Sequence, residues 1–204
     1  MPTDKQQKID GWISVTEVLD SFIPKGLLDW YLKTGKKEAK RLSTVALKIG
    51  SRVDELISQD VRSGSYKISS KDPIEVKNCL EAWESFKTDF NPSFKGCQIE
   101  VKDDESKIIG HIDLVQDRII DVKCASSIKD NYWIQVSKYH QMFGRDVFYP
   151  PAILRLDKNL ATYQYLTAEQ AKVDVNQCIR VFDGLLEVYR FYNPPSAVEE
   201  VVNE

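Results

Sequence analysis

Hydrophobic residues recur along the chain at two different periods. From Ser14 to Phe90 apolar positions return every three or four residues, the spacing of amphipathic helices. Ser14-Val15-Thr16-Glu17 reads as a capping box, with Ser14 as N-cap and Glu17 at N3, opening a short helix that Pro24 ends. A second helical piece covers residues 26–32 and stops near Gly35. Over residues 36–58, Leu42, Val45, Ala46, Ile49, Val53, Leu56 and Ile57 form one apolar stripe, with basic residues on the other faces and Asp54 beside the stripe. Residues 61–65 read as a loop. Asp72-Pro73-Ile74-Glu75 is another start signal, with an N-cap, Pro at N1 and Glu at N3. The helix it opens carries Val76, Cys79, Leu80, Trp83 and Phe86 on one side and closes at Asn91-Pro92.

Beyond Pro92 the period drops to two. Strands are predicted at residues 98–102, 107–115 and 119–124, with a turn over 103–106. A helix follows over 130–143, its inner face made by Tyr132, Val136, Tyr139 and Phe143. Two more strands are predicted at 152–156 and 162–166, joined near Lys158-Asn159. Thr167 and Gln170 form a capping box for a last helix with the stripe Val175, Cys178, Ile179, Phe182, Leu185, Leu186 and Tyr189, ended by Asn193-Pro194-Pro195. This order predicts an α/β or α+β fold, a central mixed β-sheet flanked by helices, in one domain spanning 1–204 with about 1–10 and 194–204 flexible.

Size and composition change this picture little, but charge does. A chain of 204 residues is long enough for one well-buried core. No apolar run approaches the roughly 18 residues of a membrane span, and the polar start lacks a secretory h-region, so an intracellular, cytoplasmic protein is expected. Cys79, Cys97, Cys124 and Cys178 lie far apart without a C-x-x-C pair, which signals neither a zinc ribbon nor an iron–sulfur cluster. The net charge of −3 is unevenly spread: residues 25–52 carry eight basic and two acidic side chains, a net of +6. Lys36, Lys37, Lys40, Arg41, Lys48 and Arg52 therefore form a stripe that a phosphate backbone could use, or a solvated helix face.

The candidate chemistry lies in Gly110-His111-Ile112-Asp113 and Asp121-Val122-Lys123, carboxylates inside apolar strand sequence, where an unpaired polar group is costly. Alternation puts Asp121 and Lys123 on one face of their strand and Val122 on the other. A two-residue turn at Gln116-Asp117 would turn Asp113 away from Asp121. A three-residue turn, Gln116-Asp117-Arg118, would set the two directly opposite, and that geometry is expected. Two carboxylates so close repel unless a cation lies between them, and Mg²⁺ suits such oxygen donors while leaving positions for water and phosphate. The Val122 carbonyl could be a further ligand, and Lys123 could orient or deprotonate the attacking water. Without a cation, the same residues would make an ordinary hairpin with a weak surface pair.

The pattern G-h-x-D with His111 at h, then I-I-D-V-K, then a helix with Gln135 and Tyr139 at i and i+4, resembles the PD-(D/E)XK nuclease superfamily and most of all its RecB-type exonuclease branch. The Ser14-Val15-Thr16 opening and the segment from Ala46 to Asp54 resemble that branch's N-terminal part. The resemblance implies a restriction-endonuclease-like core with Asp113 and Asp121 as ligands to Mg²⁺ or Mn²⁺ and Lys123 as catalytic lysine. It also implies that Gln135 positions lysine or phosphate and that Tyr139 lines the DNA side, where a base could stack. Where the branch usually has a histidine, this chain has Asp54, an oxygen donor that could replace it as a metal ligand. Glu100 and His111 are candidates for supporting positions around the site.

The implied activity is that of a metal-dependent DNA exonuclease without an iron–sulfur cluster, acting in recombination, repair or phage DNA processing. Its partner would be DNA, single-stranded or duplex ends, with room for a protein such as a single-strand annealing protein. Two rivals share these residues: a DNA-binding or assembly module on the same fold that has lost chemistry, and an endonuclease or junction resolvase.

Overall fold

The period-two segments assemble into one six-stranded mixed sheet in the computed structural model, which describes residues 11–144 and 147–194. In chain order the elements are β1 (Ile13–Ser14), α1 (Val15–Asp20), α2 (Lys25–Thr34), α3 (Lys36–Ser63), α4 (Ile74–Phe90), β2 (Gly96–Asp103), β3 (Ile108–Val115), β4 (Ile119–Lys123), α5 (Asp130–Phe143), β5 (Ala152–Leu156), β6 (Tyr163–Thr167) and α6 (Val175–Tyr192). The sheet runs β1-β3-β4-β5-β6, and β2 also pairs with β3. β1–β3 and β4–β5 are parallel, while β2–β3, β3–β4 and β5–β6 are antiparallel. The architecture is the mixed α/β one expected from the sequence. The predicted termini, with the acidic residues Glu199, Glu200 and Glu204, fall largely outside the described residues.

Helices cover both faces. α1, α5 and α6 pack on one through Val15, Val18, Val136, Phe182 and Leu186 against Ile108, Ile112, Val115, Ile119 and Ile153. α3 and α4 cover the other through Val53, Leu56, Ile57, Leu80, Trp83 and Phe86 against Leu114, Ile120 and Leu154. The two helices of this second layer are tied by Asp60, whose Oδ2 accepts from Trp83 Nε1 at 2.8 Å and from Lys87 Nζ at 2.6 Å. These bonds satisfy a carboxylate that would otherwise be costly to bury.

α3 departs from the predicted stripe in a way that matters. Its C-terminal half is built into the core, whereas in its first half Ala39 is buried but Leu42, Val45 and Ala46 are exposed, and α2 contributes no buried residue. Its first turns therefore project with α2 as an arm. The helix also continues through the predicted loop to Ser63, because Val61 packs on the second layer and Gly64, at φ 73°, closes the helix in the left-handed conformation. The capping signals were partly diverted. Glu17 accepts from the Tyr189 hydroxyl at 2.8 Å, and Asp72 is taken by Arg52, so helix α4 starts after Pro73. Thr167 and Gln170 do form a reciprocal box, but around a single turn; Asp174 caps α6.

The strands change face in mid-run. Cys97 pairs with Leu114 and Ile99 with Ile112, yet Cys97 and Leu114 belong to the α3/α4 layer whereas Ile99 and Ile112 belong to the other. Regular alternation would keep each such pair of residues on one face. Gln98, at φ 51°, breaks the alternation and sits where Asp113 would be its partner.

A close approach holds α5 on this region. A Cβ on Gly110 would lie 2.3 Å from Cε1 of Tyr139, so the Tyr139 ring crosses β3 where only glycine leaves room. Gly110→Ala should cost about 1–3 kcal/mol through overpacking, read as a lower urea midpoint with an unchanged slope. An unchanged midpoint would show that the ring does not lie there.

Candidate functional site

Three residues, Gln116 to Arg118, connect β3 to β4, with Val115 paired to Ile119 and Leu114 to Ile120. Continued, this register sets Asp113 opposite Asp121, as expected for the longer turn. Instead of another rung, the Val122 N–H donates to Asp113 Oδ2 at 2.7 Å. A side chain thus replaces a backbone acceptor, and the strands part around it.

Asp121 is buried at 2% exposure. Its Oδ1 accepts from Lys123 Nζ at 2.9 Å, and its Oδ2 has no hydrogen-bond partner. Burial and then repulsion by Asp113 and Asp54 push its carboxyl up to about 7, with the Lys123 charge opposing. Burial likewise raises Asp113 against the pull of Lys123. Burial lowers the basicity of Lys123, but the charges of Asp121 and Asp113 more than reverse this, leaving its pKa above the ordinary lysine value. Its ammonium also lies 5.3 Å from the centre of the Tyr132 ring. In the absence of a cation, Asp121 and Asp113 thus favour the charged ammonium form of Lys123.

Asp54 reaches the same region from α3. Gln98 Nε2 donates to Asp54 Oδ1 at 2.8 Å and approaches Asp113 Oδ1 at 3.5 Å. Burial, then the Asp113 charge, push Asp54 up to about 7, opposed by Lys123 and Arg62. Among the described residues no three His, Cys, Asp or Glu side chains converge as a ligand set. Asp54 is thus joined to Asp113 through an amide rather than gathered with it and Asp121 into one cage. The unpartnered Asp121 oxygen and the mutual repulsion of neighbouring carboxylates still fit a hard divalent cation, with Asp113 and Asp121 as its acid donors.

Other expected residues are placed differently. Tyr139 is 4% exposed, with its ring against Gly110, so it offers no face for a base to stack on. Its hydroxyl instead accepts from Gln135 Nε2 at 3.1 Å, and its pKa is raised to about 12, chiefly by burial. Glu100 turns to Lys102 at 2.9 Å and His111 at 3.7 Å, and neither Glu100 nor His111 makes a hydrogen bond or ion pair with Asp113, Asp121 or Lys123. Arg52 forks onto Asp72 at 3.0 and 3.1 Å and bonds Glu55 at 2.8 Å, clamping α3 to the following loop rather than facing solvent free. Arg41 is held by Glu38, while Lys36, Lys37, Lys40 and Lys48 are exposed along the projecting part of α3. Gln98 escaped the sequence reading. Its one signal is an amide between Cys97 and Ile99, in a strand where Glu100 and Lys102 make polar positions ordinary.

No family model matches the chain, and no curated protein matches it. Among solved structures, an alkaline exonuclease (LHK-Exo) from Laribacter hongkongensis is 14% identical, with 90% of this chain and 91% of that chain covered at a TM-score of 0.43. LHK-Exo in complex with dAMP is 12% identical, with 92% of this chain and 95% of that chain covered at a TM-score of 0.41. No helix among the described residues is long and apolar enough to cross a membrane.

The raised carboxyls give a sign for stability. A group that holds its proton more tightly when folded contributes stability that is full below its unfolded pKa and lost as pH rises through the folded one. For Asp54 that loss runs upward from the ordinary carboxyl range and is complete at about 7. With EDTA present, Asp54→Asn should therefore gain stability relative to the parent as pH is raised from 5.5 to 8.5, measured by urea unfolding at each pH. A pH-independent difference would contradict this account of Asp54.

Proposed function

We propose that this chain is a Mg²⁺- or Mn²⁺-dependent deoxyribonuclease of the RecB-type branch of PD-(D/E)XK nucleases, hydrolysing phosphodiester bonds from DNA ends. The observation that carries the reading is the buried Asp121, one oxygen unpartnered and the other 2.9 Å from Lys123, facing Asp113 where β3 and β4 part. Structural roles alone do not call for an unpaired carboxylate oxygen in the core.

Asp113 and Asp121 would hold the cation, with the Val122 carbonyl as a further donor and Asp54 close by through Gln98. Bound there, a divalent ion would offset the carboxylate charges and stabilise negative charge on the phosphate. Lys123, kept protonated by its neighbours, donates to a phosphate oxygen and orients the water for in-line attack on phosphorus. As the bond from water to phosphorus forms, the bond to the leaving oxygen breaks; the attacking water gives up its proton to bulk solvent, and the leaving oxygen takes one up from solvent in turn. Gln135, held by the buried Tyr139 hydroxyl, positions the phosphate or the lysine. The exposed Lys36, Lys37, Lys40 and Lys48 guide the strand through its phosphates.

One observation favours a second reading. Asp54 is bonded to Gln98, and among the described residues no three acidic side chains converge, which suits an inactive DNA-binding or assembly module on this fold. Labelled linear DNA incubated with Mn²⁺ separates the two: products support the nuclease, and binding without products over hours supports the module. Asp121→Ala and Lys123→Ala should each abolish cleavage, by at least about 10³-fold, while circular dichroism stays unchanged. Full activity in either folded variant would sink the mechanism.

A further inference from the structure

A groove of about 500 Å³ opens beside the candidate site, lined by Ser51, Asp54, Ser58 and Arg62 of α3 and by Gln98 of β2. Asp54 and Gln98 are the residues that connect it to Asp113. Asp54, Ser58 and Arg62 follow each other at four-residue intervals, so they share one face of α3 over about 12 Å. The groove thus has an acidic end at the site and a basic end two turns away.

Arg62 differs from the other arginines of this helix. Arg41 is held by Glu38 and Arg52 by Asp72 and Glu55, whereas Arg62 is exposed and makes no hydrogen bond or ion pair among the described residues. Glu55, also on the wall, is already paired with Arg52 at 2.8 Å, so it does not compete for the Arg62 guanidinium. A free guanidinium fork at the end of a polar groove is matched to a phosphate, which it can bind through two parallel hydrogen bonds. The other neighbouring groups are hydroxyls, amides and the carboxylates of Asp54 and Glu55, a polar lining that suits a sugar–phosphate backbone better than an apolar ligand.

We propose that this groove receives the nucleic-acid strand next to the scissile phosphodiester, with Arg62 binding a backbone phosphate of that strand. The inference deepens the nuclease reading and rests on it for the position of the scissile phosphate. Arg62 is a binding and positioning residue that takes no part in bond breaking. Because its contact is to the backbone, it adds affinity without selecting a base sequence.

The test uses the full chain and a fluorescein-labelled single-stranded oligonucleotide, with binding measured in Ca²⁺ and cleavage in Mn²⁺. Arg62→Ala should raise Kd and KM about tenfold, with a smaller change in kcat, and should reduce the slope of log Kd against log salt by about 0.7. Arg62→Lys should restore the salt slope and part of the affinity. Unchanged Kd, KM and salt slope in Arg62→Ala, with the parent active, would overturn the groove and leave the nuclease reading standing. A parent that binds through Arg62 but never cleaves would retain the groove and overturn the nuclease. A parent that neither binds nor cleaves would overturn both.

Discussion

The structure of the candidate site depends on one hydrogen bond, from the Val122 amide to the carboxylate of Asp113. In a regular antiparallel pair that amide would bond a carbonyl of the neighbouring strand. Here a side chain takes the position, so β3 and β4 stay paired only near their turn and separate beyond it. The gap admits side chains from both faces of the sheet: Gln98 and Asp54 on the α3 side, Lys123 and Tyr132 on the side of α5. Gln98 completes the arrangement, since its left-handed backbone flips the alternation of β2 just where Asp113 lies.

That opening concentrates negative charge in a poorly solvated place. Asp54, Asp113 and Asp121 all have carboxyls raised above their ordinary range, first by burial, and one lysine serves them all. Such a cluster lowers stability at neutral pH in the absence of a cation. The surroundings are correspondingly rigid: Tyr139 lies across Gly110, Asp60 ties α3 to α4, and Arg52 clamps α3 to the loop before α4. Strain of this kind, held in place by a well-packed frame, is common at sites of chemistry. On the proposed reading, a divalent ion relieves it.

Much of this was legible in the sequence because it rests on period and turn length. The helix Asp130–Phe143 and the strand Ala152–Leu156 follow from their patterns without shift, and the three-residue connection follows from the need to bring Asp113 and Asp121 together. Other features depend on contacts distant in sequence. The apolar residues Leu42 and Val45 have the right spacing for a core stripe, yet none of the described residues covers them. Tyr139 has the right helix position for a site residue, but its depth is set by the missing side chain of Gly110. Glu17 and Asp72 carry good capping signals, and each was won by a partner on another element, Tyr189 and Arg52. The role of Gln98 comes from a positive φ that an ordinary strand sequence does not announce.

The exposed arm leads into the buried half of α3 and the groove runs along that half, so one helix joins a basic approach surface to the carboxylates. What that geometry serves turns on whether a cation occupies the split between β3 and β4. The most direct measurement is anomalous diffraction from a crystal of the protein soaked in Mn²⁺. The account predicts a single strong peak at bonding distance from Asp121 Oδ2 and a carboxylate oxygen of Asp113. Density without a peak there, at a Mn²⁺ concentration that supports binding elsewhere on the protein, would contradict it.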